Sequence, residues 1–336
     1  MNNFQKLVEF KKDSAFTYNN TNAKIVFVPD LGARVFCEFN NESLHRLDIE
    51  NVYTPNKPFN NYGGNNFWPA PEGGMFGFNY DGDRWLVQPA INNEPFMLKS
   101  ISKSSAVAEK ITTLQNRKGT RMKVKMQRVL AIDNAAAIVS NENIKNTFAC
   151  TVEDKIDILD ETKIVDGLLA CWTLEQFNAS DETFSFVKVK DPEKAINFDF
   201  YEHPGERITY KKAGFVYKTD GQKTGQIGIK VSANAEFVGF YDLSKNLLCI
   251  REIVEESTGT YFNIADNAQP NGPYSAADNY SIYNGNKEQG FFEIETIGAA
   301  KINSGILKGS TLKSRTTFAQ FNNCEDLKLF ISKILE

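Results

Sequence analysis

The sequence predicts an all-β protein in which large antiparallel sheets pack face to face, with a short helix near each end of the chain. Three observations carry this reading. Apolar and polar residues alternate with period two through much of the chain, the pattern of strands that bury one face. Turn dipeptides such as Asp81-Gly82, Asp220-Gly221 and Asn284-Gly285 punctuate the alternating runs. Almost no helical period lies between them, which argues against a parallel βαβ sheet.

The elements follow in order. Phe4, Leu7, Val8 and Lys11 have helical spacing. Strands are expected at 24–28, 33–39, 96–102, 106–115, 120–130, 150–158, 168–177, 184–190, 208–217, 225–232, 235–241, 247–254, 260–264, 289–297 and 311–319. In 120–130, Met122, Val124 and Met126 take one face, and Arg121, Lys123, Lys125 and Gln127 the other. A final helix is marked by Leu327, Phe330, Ile331 and Ile334, with Asn323 as cap and Glu325 and Asp326 in its first turn. No repeat or linker divides the chain, so 1–336 reads as one domain.

Composition narrows the function. A chain of 336 residues, 41% hydrophobic and 24% charged, buries a large core and is not a disordered protein. A net charge of −4 is too small to imply a cationic partner, and there is no long basic stripe for nucleic acid. The local cluster Arg117, Lys118, Arg121, Lys123, Lys125 and Arg128 reads as a solvated surface. Five dispersed cysteines without a CxxC pair read as buried thiols. No apolar run is long enough to span a membrane, and the start of the chain lacks the apolar core of a signal peptide. A cytoplasmic location is expected, or a periplasmic one if a leader has been removed.

The sequence lacks GxGxxG after a strand, a Walker loop, GxSxG and HExxH. His45 and His203 are its two histidines. His45 lies among apolar neighbours and reads as structural, and His203 reads as part of a turn. Asp81-Gly82-Asp83 reads as a turn rather than a calcium loop. No metal and no cofactor is expected.

Polar chemistry concentrates in three segments. The run 63–96 holds Trp68, Glu72, Arg84 and Trp85 among glycines, prolines and amides. Flat aromatic faces beside fixed polar groups suit a sugar ring, whose C–H faces lie on the aromatics while its hydroxyls take the polar groups. A long ordered loop covering the end of a β-core has the same composition. The segment 261–284 offers Asn263, Asp278, Asn279 and Tyr283, and it too reads equally as a loop. In 291–297, FFEIETI, alternation sets Phe291, Glu293 and Glu295 on one face. Carboxylates at i and i+2 lie ~7 Å apart by strand rise. They form either a proton-transfer pair lining a cleft or part of a solvated strand face.

With these segments in hand, the chain resembles a family of uncharacterised bacterial proteins with the galactose-mutarotase-like fold. The resemblance rests on FWPAPEGGMFGF (67–78), W-x-x-Q-P-A-I-N-x-E-P-F (85–96) and IGIKVSANAEFVGFYD (227–242). It continues through YFNIADNAQPNGPYSAADNYSIYN (261–284) and GFFEIETIGAAKINSGILKGSTLKSRTTF (290–318). It implies a supersandwich of antiparallel sheets with a sugar cleft on the concave face of one sheet. True mutarotases carry their base on a late glutamate in a Leu-Glu-Thr-like segment. Ile294-Glu295-Thr296 is similar, which implies Glu295 as base and Glu293 as the alternate. The family's general acid is a histidine, and neither histidine here has a comparable context. KSRTTF stands where a histidine beside the threonine is expected.

Two functions follow as expectations. One is an aldose epimerase or mutarotase, with Glu295 as base, Tyr283 or Arg84 polarising the ring oxygen, and Trp68 and Trp85 as the platform. The other is a carbohydrate-binding protein without catalysis. In both, the partner is a small-molecule sugar or oligosaccharide, with no nucleic acid and no membrane. A weaker third reading is an accessory domain of a lyase or hydrolase.

Overall fold

A computed structural model describes residues 1–55, 59–199, 203–255, 258–262 and 277–336. The predicted helices form at Asn3–Lys11 and Cys324–Leu335. The side chain of Asn2 accepts from the Gln5 amide, and that of Asn323 from the Asp326 amide, so each helix starts on a side-chain cap. Among the described residues no helix is long and apolar enough to cross a membrane.

Two large antiparallel sheets make up the rest. The first has ten strands. Its central order is Arg34–Phe39, Gly64–Ala70, Ala170–Asn178, Phe291–Ile297, Asp278–Asn284 and Gly225–Lys230. The second has eleven, built around the long strands Arg121–Asp133, Ile144–Lys163 and Ile306–Phe321. Apolar side chains of both sheets meet in one continuous cluster that includes Phe27, Phe67, Phe177, Met126, Val152 and Phe318.

The strand predictions hold with several departures. Phe16–Asn19, beside Ala23–Val28, and Ala299–Asn303, beside Ile306–Phe321, form strands where none is expected. The stretch 208–217 is a hairpin of Ile208–Lys211 and Gly214–Lys218 rather than one strand. In 260–264, Thr260 forms only an isolated bridge to Ala300, and 263–264 lie outside the described residues. Gly64–Ala70 and Asp278–Asn284, both inside segments read as loops, are inner strands of the first sheet. Pro69 is tolerated there for a specific reason. The amide and carbonyl of its partner Cys171 bond away from it, to Ser310 and Gly298, so Pro69 occupies a non-hydrogen-bonded pair. On its other side the pairing with Arg34–Phe39 has already ended at Val35 and Asn65.

The basic cluster is not a uniformly solvated surface. Arg128 follows Met122, Val124 and Met126 onto the inward face and is fully buried. It ion-pairs with Asp154 at 3.0 Å and donates to the carbonyls of Ala33 and Asn65 on the first sheet. A second buried clasp joins Arg251 of the second sheet to Glu175 of the first at 2.6 Å. His45 completes it. Its Nδ1 accepts from the Cys37 amide, so Nε2 carries the proton and donates to Glu175 at 2.8 Å. His45 is therefore a satisfied core residue. Cys37, Cys150, Cys171 and Cys249 are buried free thiols, and burial raises their pKa values.

Candidate functional site

Side-chain alternation on the first sheet decides what faces outward. On Ala170–Asn178, Thr173 and Glu175 point at the second sheet, where they meet Asp154 and Arg251. Trp172, Leu174 and Gln176 therefore point the opposite way. The register carries this face across five neighbouring strands. Trp172 pairs with Trp68, Leu174 with Glu295, Gln176 with Glu293, Glu293 with Tyr283, and Tyr283 with Gln226. A cleft of about 340 Å³ opens over them, within the range of small-molecule sites. Phe59, Glu72, Trp85 and Gln289 close its sides.

Glu293 and Glu295 form the floor. Trp172 Nε1 donates to Glu295 Oε2 at 2.9 Å, and Gln226 Nε2 to Oε1 at 3.1 Å. Gln176 Nε2 donates to Glu293 Oε1 at 2.6 Å. These donors are neutral. The two carboxyls share one face of their strand and each shifts the other's proton affinity. Burial pushes Glu293 up to about 7, while Gln176, Glu295 and the Arg46 charge hold it from going higher. Burial and the charge of Glu293 push Glu295 well above the ordinary carboxylate range. As pH rises through about 7 the pair therefore loses the proton of Glu293 while Glu295 keeps its own, and donor and acceptor lie side by side.

The aromatic walls are built at right angles. Trp68 and Trp172 meet edge-to-face at 5.9 Å and 88°. The indole N–H of Trp68 is buried without an acceptor. Trp85 Nε1 donates to Glu72 Oε1 at 3.0 Å. The Tyr283 hydroxyl donates to Gln289 at 2.9 Å. Among the described lining residues there is no histidine, arginine or lysine.

A family model described as "Family of unknown function (DUF6786)" matches residues 2–326. The chain belongs to this family. Among curated proteins, none matches it. Solved structures share its fold at low identity. A galactose mutarotase-like protein from Lactobacillus casei ATCC 334 is 11% identical over 90% of this chain and 99% of that one, with a TM-score of 0.51. A galactose mutarotase related enzyme from Lactobacillus acidophilus is 12% identical over 91% and 96%, with a TM-score of 0.52. An aldose epimerase homologue from C. elegans is 10% identical over 92% and 100%, with a TM-score of 0.51. The galactose-mutarotase-like fold implied by the sequence is thus shown for this family member.

Of the site residues read from the sequence, Glu293, Glu295, Trp68, Trp85, Glu72 and Tyr283 converge on the cleft. Three do not. Arg84 sits on the exposed hairpin, paired with Asp81 at 3.2 Å, and its side chain is 72% exposed. Asp278 is fully buried at the far end of its strand, beside a register shift at Ile229 and Lys230, and accepts from Asn197 at 2.8 Å. Burial pushes it up to about 7 there. Asn279 is four residues from Tyr283, ~13 Å along the strand, and outside the cleft lining. Asn263 lies outside the described residues. Trp172, Gln176 and Gln226 were missed by the sequence reading. Their signal was the outward parity of two strands whose neighbours could not be known from sequence.

Proposed function

We propose that this chain binds a sugar in the cleft and exchanges its anomers by proton transfer at Glu293 and Glu295. The observation that carries the reading is the pair of carboxyls, Glu293 and Glu295, buried together at the floor of an indole-walled cleft. In anomer exchange the proton of the C1 hydroxyl leaves as the ring oxygen gains one. The C1–O5 bond breaks to the open-chain aldehyde, and reclosure on the other face reverses both transfers. Both oxygens sit on C1, so adjacent carboxyls reach both. Glu295 is the member held protonated, so Glu293 accepts and Glu295 donates in the opening step, and the roles exchange on closure. This assigns Glu295 the opposite first role from the one its sequence context implies. The likeness to aldose epimerase-type folds supports the substrate class.

A second reading is sugar binding without turnover. The absence of an imidazole among the described lining residues favours it. NMR anomer exchange and titration over a panel of neutral sugars separate the two. Proton transfer by the pair predicts that Glu295→Gln and Glu293→Gln each remove the acceleration, by about 10²-fold or more, with affinity nearly unchanged. Unchanged rates in both variants exclude the pair. Binding without acceleration by the wild type selects the second reading.

A further inference from the structure

The cleft is graded in depth. At its floor Trp172 and Trp68 are 2% and 5% exposed, beside the carboxyl pair. Trp85, on the hairpin of Tyr80–Asp81 and Arg84–Trp85, is 40% exposed. An exposed indole on so short a hairpin has little packing to hold it, yet this one is fixed twice. Its N–H is bonded to Glu72, and its ring meets Phe59 edge-to-face at 5.2 Å and 82°. Phe59 in turn meets Trp68 at 5.9 Å and 76°. An aromatic path therefore runs unbroken from floor to opening through Trp172, Trp68, Phe59 and Trp85. A single ring held against the carboxyls uses only its inner end.

We propose that Trp85 is the platform of a second, outer subsite, so that the ligand is the reducing end of a disaccharide or longer saccharide. The inference rests on the sugar reading above. Anomer exchange needs a free anomeric carbon, which puts the reducing ring at Glu293 and Glu295 and sends the next ring outward. There an amphipathic indole with one edge already committed offers an apolar face to the C–H side of a sugar. A fixed platform binds more tightly than a mobile one because little rotamer freedom is lost on binding.

Calorimetric titration of wild type and Trp85→Ala with glucose, galactose, maltose, cellobiose and lactose tests this. At least one disaccharide is expected to bind about tenfold tighter than the monosaccharide of its reducing end, the size of one good stacking contact. Trp85→Ala should remove that gain, weakening the disaccharide about tenfold more than the monosaccharide, since the floor residues are untouched. Circular dichroism checks that the variant is folded. Equal wild-type affinity for mono- and disaccharides overturns the outer subsite while the sugar reading stands, and so does a gain that survives in Trp85→Ala. No binding of any saccharide overturns the sugar reading itself, and the subsite falls with it.

Discussion

A carboxyl buried beside another carboxyl keeps its proton longer than either would alone, and Glu293 and Glu295 are in that position. The pKa of Glu293 is raised in the folded state from 4.5 to about 7. The folded protein therefore holds a proton that the unfolded chain gives up. The stabilisation is complete below the unfolded pKa and is lost as pH rises through about 7. A shift of this size corresponds to a few kcal/mol, because one pH unit is worth about 1.4. Glu293→Gln removes the titration while keeping the side chain's shape. The variant should gain stability over wild type between pH 5 and pH 9, read by urea denaturation at several pH values. A difference that stays constant with pH would remove the shift from Glu293. Strict alternation in FFEIETI was enough to place both carboxyls on one face. Their burial was not legible, because it depends on Trp172, Gln226 and Gln176 from other strands. Asp278 failed for the complementary reason: the register shift beside it has no local signature.

At the scale of elements, two of the strands missed, Gly64–Ala70 and Asp278–Asn284, build the site. Gly64–Ala70 reads GNNFWPA, and its glycine, asparagines and proline have low strand propensity. Its outward positions Asn66 and Trp68 serve the cleft, so it lacks the clean alternation of a half-solvated strand. Polarity selected for a ligand looks, in sequence, like polarity selected for water. The strand's entry is pinned by Gly63 and Gly64, at φ +85° and +75°. A Cβ on Gly63 would lie 2.0 Å from the carbonyl oxygen of Arg46, whose backbone accepts from the Gly64 amide. Gly63→Ala combines a disfavoured φ with a backbone clash. It should cost about 2–4 kcal/mol in chemical denaturation. A loss below about 1 kcal/mol would show that the entry relaxes freely.

Two large sheets make up most of the described molecule, and what joins them is only partly apolar. Arg128 with Asp154, and Arg251 with Glu175, place full charges in the layer between the sheets. Period two correctly put the faces of the strand over 120–130 inside and outside, and it carried the all-β architecture. The same period places Arg128 on the inward side with Met122, Val124 and Met126, but it could not show that a carboxylate waits there, because the register with the next strand sets Asp154 opposite it. The Glu175 clasp also backs the site, for its strand carries Trp172 and Gln176 on the opposite face. Burial alone would raise Glu175, but the Arg251 charge and the His45 hydrogen bond outweigh it and hold the carboxyl at about 2. A lowered pKa stabilises the fold above the ordinary value and is lost as pH falls toward 2. Arg251→Met strands the Glu175 charge between the sheets and should cost about 3–5 kcal/mol at pH 7. Adding Glu175→Gln removes that stranded charge, so the double variant should recover much of the loss. Urea denaturation of the two single variants and the double one closes the cycle. Strictly additive losses would mean that the two groups act independently.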